Sequence, residues 1–220
     1  MKKIVIFYAA YGGGHLSAAN SIKQYLETHY TDIEIHMVDC VKYINRALDK
    51  VTTLAYKEMA KKAPWAWGRV YYHSQKGPLA RISTSSNKVM ALKLLQLFEE
   101  IHPDLVISTH PFGSQMTSYL KKKNKVHCKL ATIMTDFAPH NQWLIGKEFI
   151  DYFFVAHNGM KTALVQSGVP EQHIFVTGIP LSNRFLMHYH KSEIMQQFAL
   201  DPTRKVILFF GGRRVWFRKK

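Results

Sequence analysis

The sequence predicts a doubly wound α/β fold on a mostly parallel sheet, and three observations carry that expectation. Short runs rich in β-branched and aromatic residues alternate with longer segments of helical periodicity. The runs are apolar almost throughout, as strands are when both faces of their sheet are covered. The first run, Ile4 to Tyr8, feeds Gly12, Gly13 and Gly14 and then a helical segment, a strand–turn–helix join suited to an anion.

Taken in order, IVIFY marks a strand over Lys3–Tyr8 and the periodic stretch after the glycines a helix over Ser17–His29. IEIHMVD gives a strand over Ile33–Asp39. A segment from Val41 to about Met90 then shows no clear strand, and a helix follows over Asn87–Ile101. LVIST predicts a strand over Leu105–Thr109, followed by a helix over Gly113–Lys122, and LATIMT a strand over Leu130–Thr135. YFFVA and IFVT predict strands over Tyr152–Ala156 and Ile174–Thr177, with a helix over Gly159–Ser167 between them. A helix over Ser192–Leu200 and a last strand over Val206–Phe210 complete the pattern. In this architecture ligands gather beyond the carboxyl ends of the strands, so the residues just after each strand carry most weight.

The bulk properties narrow the classes. Apolar residues make up 47% of the 220, enough for a real core and against a disordered chain. The net charge of +15 points to a polyanionic partner, whether nucleic acid, an anionic membrane or a phosphorylated substrate. Cys40 and Cys128 stand far apart without a C-x-x-C spacing, which suits a reducing compartment. The opening apolar run is too short for a signal peptide, and no run approaches the roughly 20 residues of a spanning helix. A soluble or peripheral cytosolic protein is expected.

Three post-strand loops hold the candidate chemistry. The glycine turn is not a P-loop, because no Gly-Lys-Ser/Thr follows it. It aligns loosely with a dinucleotide fingerprint, Gly12-x-Gly14-x-x-Ser17, with Asp39 ending the second strand, although the third glycine is missing. His15 sits at a helix N-terminus, where the dipole disfavours its cation and leaves an imidazole able to take a proton. The second loop is STHPFGSQ (Ser108 to Gln115) and the third TDFAPHNQW (Thr135 to Trp143). Three such loops at one sheet edge are hard to explain as packing and point to a shared site. Twelve histidines raise a metal alternative, yet no H-E-x-x-H or tight His/Cys pair is present, so no metal is expected.

The Val41–Met90 segment is strongly basic and interleaved with aromatics, with only Asp49 and Glu58 in opposition. Lysines gain about 1 kcal/mol each near an anionic leaflet, and Trp and Tyr favour the headgroup zone. With no nucleic-acid-binding motif in sight, a membrane surface is the expected partner.

Four motifs in order then carry a family resemblance: GGGH after the first strand, PDLVISTHPF, TDFAPHNQW, and YFFVAHNGMKTALVQSGVPEQHIFVTGIPLSNRF. From Lys3 to about Gly212 the chain resembles the N-terminal half of the monogalactosyldiacylglycerol synthase and processive diacylglycerol β-glucosyltransferase family. The resemblance implies a GT-B glycosyltransferase of two Rossmann-like domains, the N-terminal one taking the lipid acceptor at the membrane and the C-terminal one the UDP-sugar. It implies inverting hexose transfer from a UDP-sugar to diacylglycerol without cofactor or protein-held metal, on the cytoplasmic face of the cell membrane as a peripheral protein.

By position in the motifs, His15 is the base or its neighbour and Asp136 the competing base. Gly12, Gly13 and Gly14 approach the donor diphosphate. His110, Pro111, Phe112, Pro139, His140 and Trp143 bind or position the acceptor, and Lys57, Lys61, Lys62, Trp65 and Trp67 meet the membrane. Residues 1–200 are expected to form this acceptor domain. Residues 201–220 are expected to hold the first strand of a donor domain and a basic end, Arg213 to Lys220, that departs from the family pattern as a truncation or frameshift would. The chain alone is therefore expected to be inactive. From a different class, a nucleotide- or dinucleotide-binding protein using Gly12, Gly14 and Asp39 remains the alternative.

Overall fold

Six parallel strands, β1 (Lys2–Tyr8), β2 (Ile33–Asp39), β3 (Leu105–Ser108), β4 (Lys129–Ile133), β5 (Tyr152–Val155) and β6 (Ile174–Val176), form one sheet in the order β2-β1-β3-β4-β5-β6. They belong to a computed structural model that describes residues 1–10, 13–44, 91–138 and 140–208. Gly12, Pro139 and the basic-aromatic residues Lys57, Lys61, Lys62, Trp65 and Trp67 lie outside the described residues, as does everything after Leu208. The helices are α1 (Gly14–His29), α2 (Cys40–Ile44), α3 (described over 91–101), α4 (Pro111–Lys122), α5 (Asn158–Gln166) and α6 (Lys191–Gln197). The doubly wound α/β class expected from the sequence is what forms.

Strand alternation builds two cores from one sheet. Val5 and Phe7 join Val106, Leu130, Phe153 and Val155 on one face, packed with Leu94 and Phe98 of α3, Met116 and Leu120 of α4, and Met160 and Leu164 of α5. Ile4, Ile6, Ile107, Ala131 and Ile133 form the other, packed with Ala19, Ile22 and Leu26 of α1. The continuous apolar run of β1 is thus explained by cover on both sides.

One close approach fixes α4 against the sheet. A Cβ on Gly113 would stand 2.4 Å from Ser108 Oγ and 2.7 Å from Phe7 Cβ, so only glycine lets the helix seat there.

Two expectations need correction. Val206–Leu208 form no strand and are exposed, as a run without a neighbour to take its backbone hydrogen bonds would be. The segment after β2 opens with α2, which the sequence reading missed. Asp39 caps it, Oδ1 accepting from the N–H groups of Val41 and Lys42 at 3.1 Å each, while Cys40, Val41 and Ile44 are buried.

The chain divides into two compact units, Met1–Ser182 and Asn183–Lys220. The first holds the whole sheet. The second contains a short 3₁₀ turn, Asn183–Leu186, and α6.

Candidate active site

With β2 on one side of β1 and β3 on the other, the order of the strands reverses at β1, and the carboxyl ends of β1 and β3 flank the switch point. His15 follows β1 there, Thr109 and His110 follow β3, and Thr135 and Asp136 follow β4.

His15 is the second residue of α1, whose N-cap Gly13 takes φ 72°, a conformation that favours glycine. Nothing lies within 4 Å of where a Cβ would stand on Gly13 or Gly14, so open space borders the helix start. His15 is half-buried. Its Nδ1 lies 2.5 Å from the Thr109 carbonyl oxygen and 3.0 Å from Thr135 Oγ1. Since a carbonyl oxygen only accepts, Nδ1 carries the ring proton and the lone pair sits on Nε2. Burial holds the His15 pKa below its ordinary value, partly offset by the Thr109 carbonyl and by Asp136. The loss of water, more than the helix dipole invoked from sequence, keeps this ring neutral.

His110 meets His15 edge-on, ring centroids 4.6 Å apart, and is 5% exposed. Its Nδ1 accepts the Phe112 N–H at 3.2 Å and so caps α4, whose first residue is the buried Pro111. Burial first, then His15 and His140, push its pKa well below the histidine range. His110 and Pro111, expected to bind or position the acceptor, start this helix and are buried. Phe112 is half-buried and packs its ring on His110, centroids 4.8 Å apart.

Asp136 is held from below. Trp143 Nε1–H donates to its Oδ2 at 2.5 Å, and His140 Nε2 approaches the same oxygen at 3.5 Å. His140 Nδ1 accepts the Gln142 N–H at 3.2 Å, which puts the His140 ring proton on Nε2, facing Asp136. Burial lowers the His140 pKa, with Asp136 acting in the opposite sense. Trp143, expected to bind or position the acceptor, is fully buried in the larger core, where its indole seats the Asp136 carboxylate.

Thr109 and Thr135, both inside the quoted loops, were passed over in favour of their charged neighbours. So was Phe137, which is 81% exposed beside the site, its carbonyl oxygen accepting from His157 Nε2 at 2.9 Å and its ring against that imidazole. Asp39, used in the dinucleotide alternative, spends its carboxylate on backbone, including the Ala10 N–H at 3.2 Å as well as the α2 cap. Among the described residues no group of three or more His, Cys, Asp or Glu is disposed to hold a metal ion, and no helix is long and apolar enough to cross a membrane.

The sequence pattern described as monogalactosyldiacylglycerol (MGDG) synthase matches residues 15–181. Among curated proteins the chain is similar to a processive diacylglycerol beta-glucosyltransferase of Staphylococcus epidermidis (27% identity over 96% of this chain and 52% of that protein). Similar proteins of the same name occur in Staphylococcus carnosus (28%, 96% and 52%) and Bacillus licheniformis (26%, 96% and 54%). The chain thus spans about half the length of the curated relatives it matches. Among solved structures it resembles an S. aureus MnaA-UDP co-structure, TM-score 0.51 at 17% identity over 90% of this chain and 50% of that one. It also resembles UDP-N-acetylglucosamine 2-epimerase from Rickettsia bellii, TM-score 0.50 at 16% identity over 92% and 52%. At such identities these two likenesses concern the fold alone.

Proposed function

The chain belongs to the monogalactosyldiacylglycerol synthase family, and from that premise we propose that it is the acceptor-side half of a glycosyltransferase that moves a hexose from a UDP-sugar to diacylglycerol. The observation that carries the reading is the state of His15: a neutral ring at the switch point, with its proton on Nδ1 and its lone pair on Nε2. That is the form a general base takes. Nε2 removes the proton of the diacylglycerol hydroxyl as its oxygen attacks the anomeric carbon. The bond to the UDP oxygen breaks on the opposite side, the leaving group takes the electron pair, and the sugar configuration inverts.

Asp136, its Oδ2 already met by Trp143 and near His140, acts as a fixed charge beside the base, and it favours the imidazolium that His15 becomes. His110 and His140 keep neighbouring rings in place. In the two-domain arrangement that the resemblance implies, the UDP-sugar is held mainly by the other domain. The glycines Gly12, Gly13 and Gly14 are assigned to its diphosphate, and the open space beside Gly13 and Gly14 gives backbone amides there access to it. The commitment of Asp39 to the α2 cap disfavours the dinucleotide-binding alternative.

The acceptor is membrane-borne, and the basic-aromatic segment supplies the contact: Lys57, Lys61 and Lys62 to anionic headgroups, Trp65 and Trp67 to the interface. The test combines two measurements. The 220-residue chain is cosedimented with anionic vesicles at rising salt, and a full-length protein carrying it is assayed for hexose transfer from UDP-glucose or UDP-galactose to diacylglycerol. Binding should weaken with salt and vanish when the three lysines become glutamate and the two tryptophans alanine. Binding of NAD(P) with no affinity for vesicles would instead favour the dinucleotide reading.

A further inference from the structure

The charge of Asp136 acts on His15 and His140, yet the atoms that touch the His15 Nδ1 belong to uncharged groups. Nδ1 meets the Thr109 carbonyl oxygen at 2.5 Å and Thr135 Oγ1 at 3.0 Å. Facing an N–H, the Thr135 oxygen can only accept. Thr109 also returns the contact, its Oγ1 donating to the His15 carbonyl oxygen at 2.9 Å. The two residues are therefore joined by reciprocal hydrogen bonds, one outward from each.

This clamp is anchored in the sheet. Thr109 is fully buried, and its N–H donates to the Phe7 carbonyl oxygen at 2.9 Å, directly beyond the last register pair of β1 and β3, Phe7 with Ser108. Thr135 lies two residues past the end of β4, the next strand. Two adjacent strands thus present oxygens to one nitrogen of a ring carried by the helix that leaves a third. His110 packs edge-on against that ring and restricts its rotation.

We propose that Thr109 and Thr135 are positioning residues that lock His15 in its Nδ1–H tautomer and thereby select Nε2 as the basic nitrogen. This is the part that a carboxylate plays behind the histidine of a hydrolytic triad. It rests on the reading of His15 as the base. The chemical consequence is that the base is oriented by dipoles rather than by a paired charge. Asp136 remains free of that duty and keeps its own partners, Trp143 and His140.

The test reads the tautomer first, without any need for turnover. Long-range proton–nitrogen correlation spectra of the 220-residue chain with ¹⁵N-labelled histidine should show His15 protonated at Nδ1 and bare at Nε2. The Thr109 carbonyl oxygen still accepts in Thr135→Val, so the Nδ1–H form should persist there with its Nδ1 and Hδ1 resonances shifted by the lost second acceptor, and Thr135→Ser should restore them. Thr109→Val keeps the carbonyl oxygen on Nδ1 and removes only the hydroxyl bond to the His15 carbonyl oxygen, so it should leave the tautomer unchanged. An Nε2–H tautomer in the unsubstituted chain would overturn the proposal, as would His15 ring resonances in the Thr135→Val variant identical to those of the unsubstituted chain.

In a full-length protein carrying the domain, Thr135→Val should lower kcat about ten- to a hundredfold with KM unmoved, and Thr135→Ser should recover it. A raised KM with kcat intact would also overturn the proposal. If His15→Ala keeps full activity, the base assignment fails, and the tautomer spectra still decide whether the clamp exists.

Discussion

The two ends of the same sheet treat charge in opposite ways. At the amino ends of the strands, opposite charges pair in or near solvent: Lys2 with Asp104 at 2.9 Å, Lys129 with Asp151 at 2.8 Å, and Lys121 with the second oxygen of Asp151. Here Asp104 and Asp151 are held below the usual carboxylate range, Asp104 by the Lys3 N–H and Lys2, and Asp151 by Lys121, Lys129 and the Leu130 N–H against the opposing effect of burial. At the carboxyl ends, His15, His110 and His140 are packed together, and burial drives each toward its neutral form. One end is a fringe of ion pairs that closes the sheet in water. The other removes water from groups whose ordinary pKa lies near neutrality. Only the second arrangement is suited to handling a proton, which is why a site belongs there.

The comparison breaks most readily at His15. His15→Ala in a full-length protein carrying the domain should lower turnover by roughly 10²–10⁴ while the chain still folds; circular dichroism and a transfer assay check both. If activity stays within a few-fold and Asp136→Asn is the dead variant, the base is Asp136.

A second blow at the carboxyl end is steric. Gly113→Ala sets a methyl group against Ser108 and Phe7 and should cost about 1–3 kcal/mol of folding stability, read from denaturant midpoints. It should also disturb the His110 turn, because Ser108 Oγ donates to the His110 carbonyl oxygen at 2.7 Å.

A subtler effect lies in the pH dependence. With His110 kept neutral in the native state, the unfolded chain binds more protons once pH falls to about 6.5 and below. Stability is therefore full above that value and declines as pH drops toward the lowered native pKa, with His15 and His140 contributing in the same direction. His110→Asn keeps a side-chain oxygen to cap α4 and removes one titrating ring, so its stability should fall less steeply between pH 7.5 and 5.5. A slope equal to that of the unsubstituted chain would mean that the carboxyl end does not carry this strain.

The smallest effect belongs to the amino end. Lys129→Met loosens an exposed pair and should leave the melting temperature where it was, at low and high salt alike. A loss as large as that of Gly113→Ala would erase the distinction between the two ends.

Much of this arrangement was legible before the coordinates. Ile33–Asp39 coincides with its predicted strand, and the other five strands of the sheet differ at their ends by a residue or two, because apolar β-branched runs covered on both faces leave little room for another register. Of the expected helices, α1, α4, α5 and α6 begin earlier, α4 at Pro111 rather than Gly113, because the cap on His110 is a matter of backbone geometry that periodicity does not register. At five residues α2 is too short to show a period at all, although Asp39 before Cys40 and Val41 was a readable cap.

At the site, a parallel sheet sends every post-strand loop to one edge, so the convergence of His15, His110 and Asp136 followed from the sequence. What did not follow was orientation. Nothing in TDFAPHNQW distinguishes a Trp143 that faces a ligand from one that faces the core, or a Thr135 that meets a ring nitrogen from one that meets water. The turn after β4 decides both.

The seating of Trp143 has an optical consequence. It is the sole tryptophan among the described residues, since Trp65, Trp67 and Trp216 lie outside them. Its indole is sealed from solvent, with the N–H on the Asp136 carboxylate and the His140 ring 6.2 Å away. In a chain whose other three tryptophans are replaced by phenylalanine, its emission should lie at the short wavelengths of a dry environment. Any event that moves the carboxylate, or charges the neighbouring imidazole, alters the field across the excited indole and so changes the colour or the yield of that light. The residue that steadies the site is thereby also its reporter, and the entry of a ligand can be followed in a cuvette without a label and without turnover.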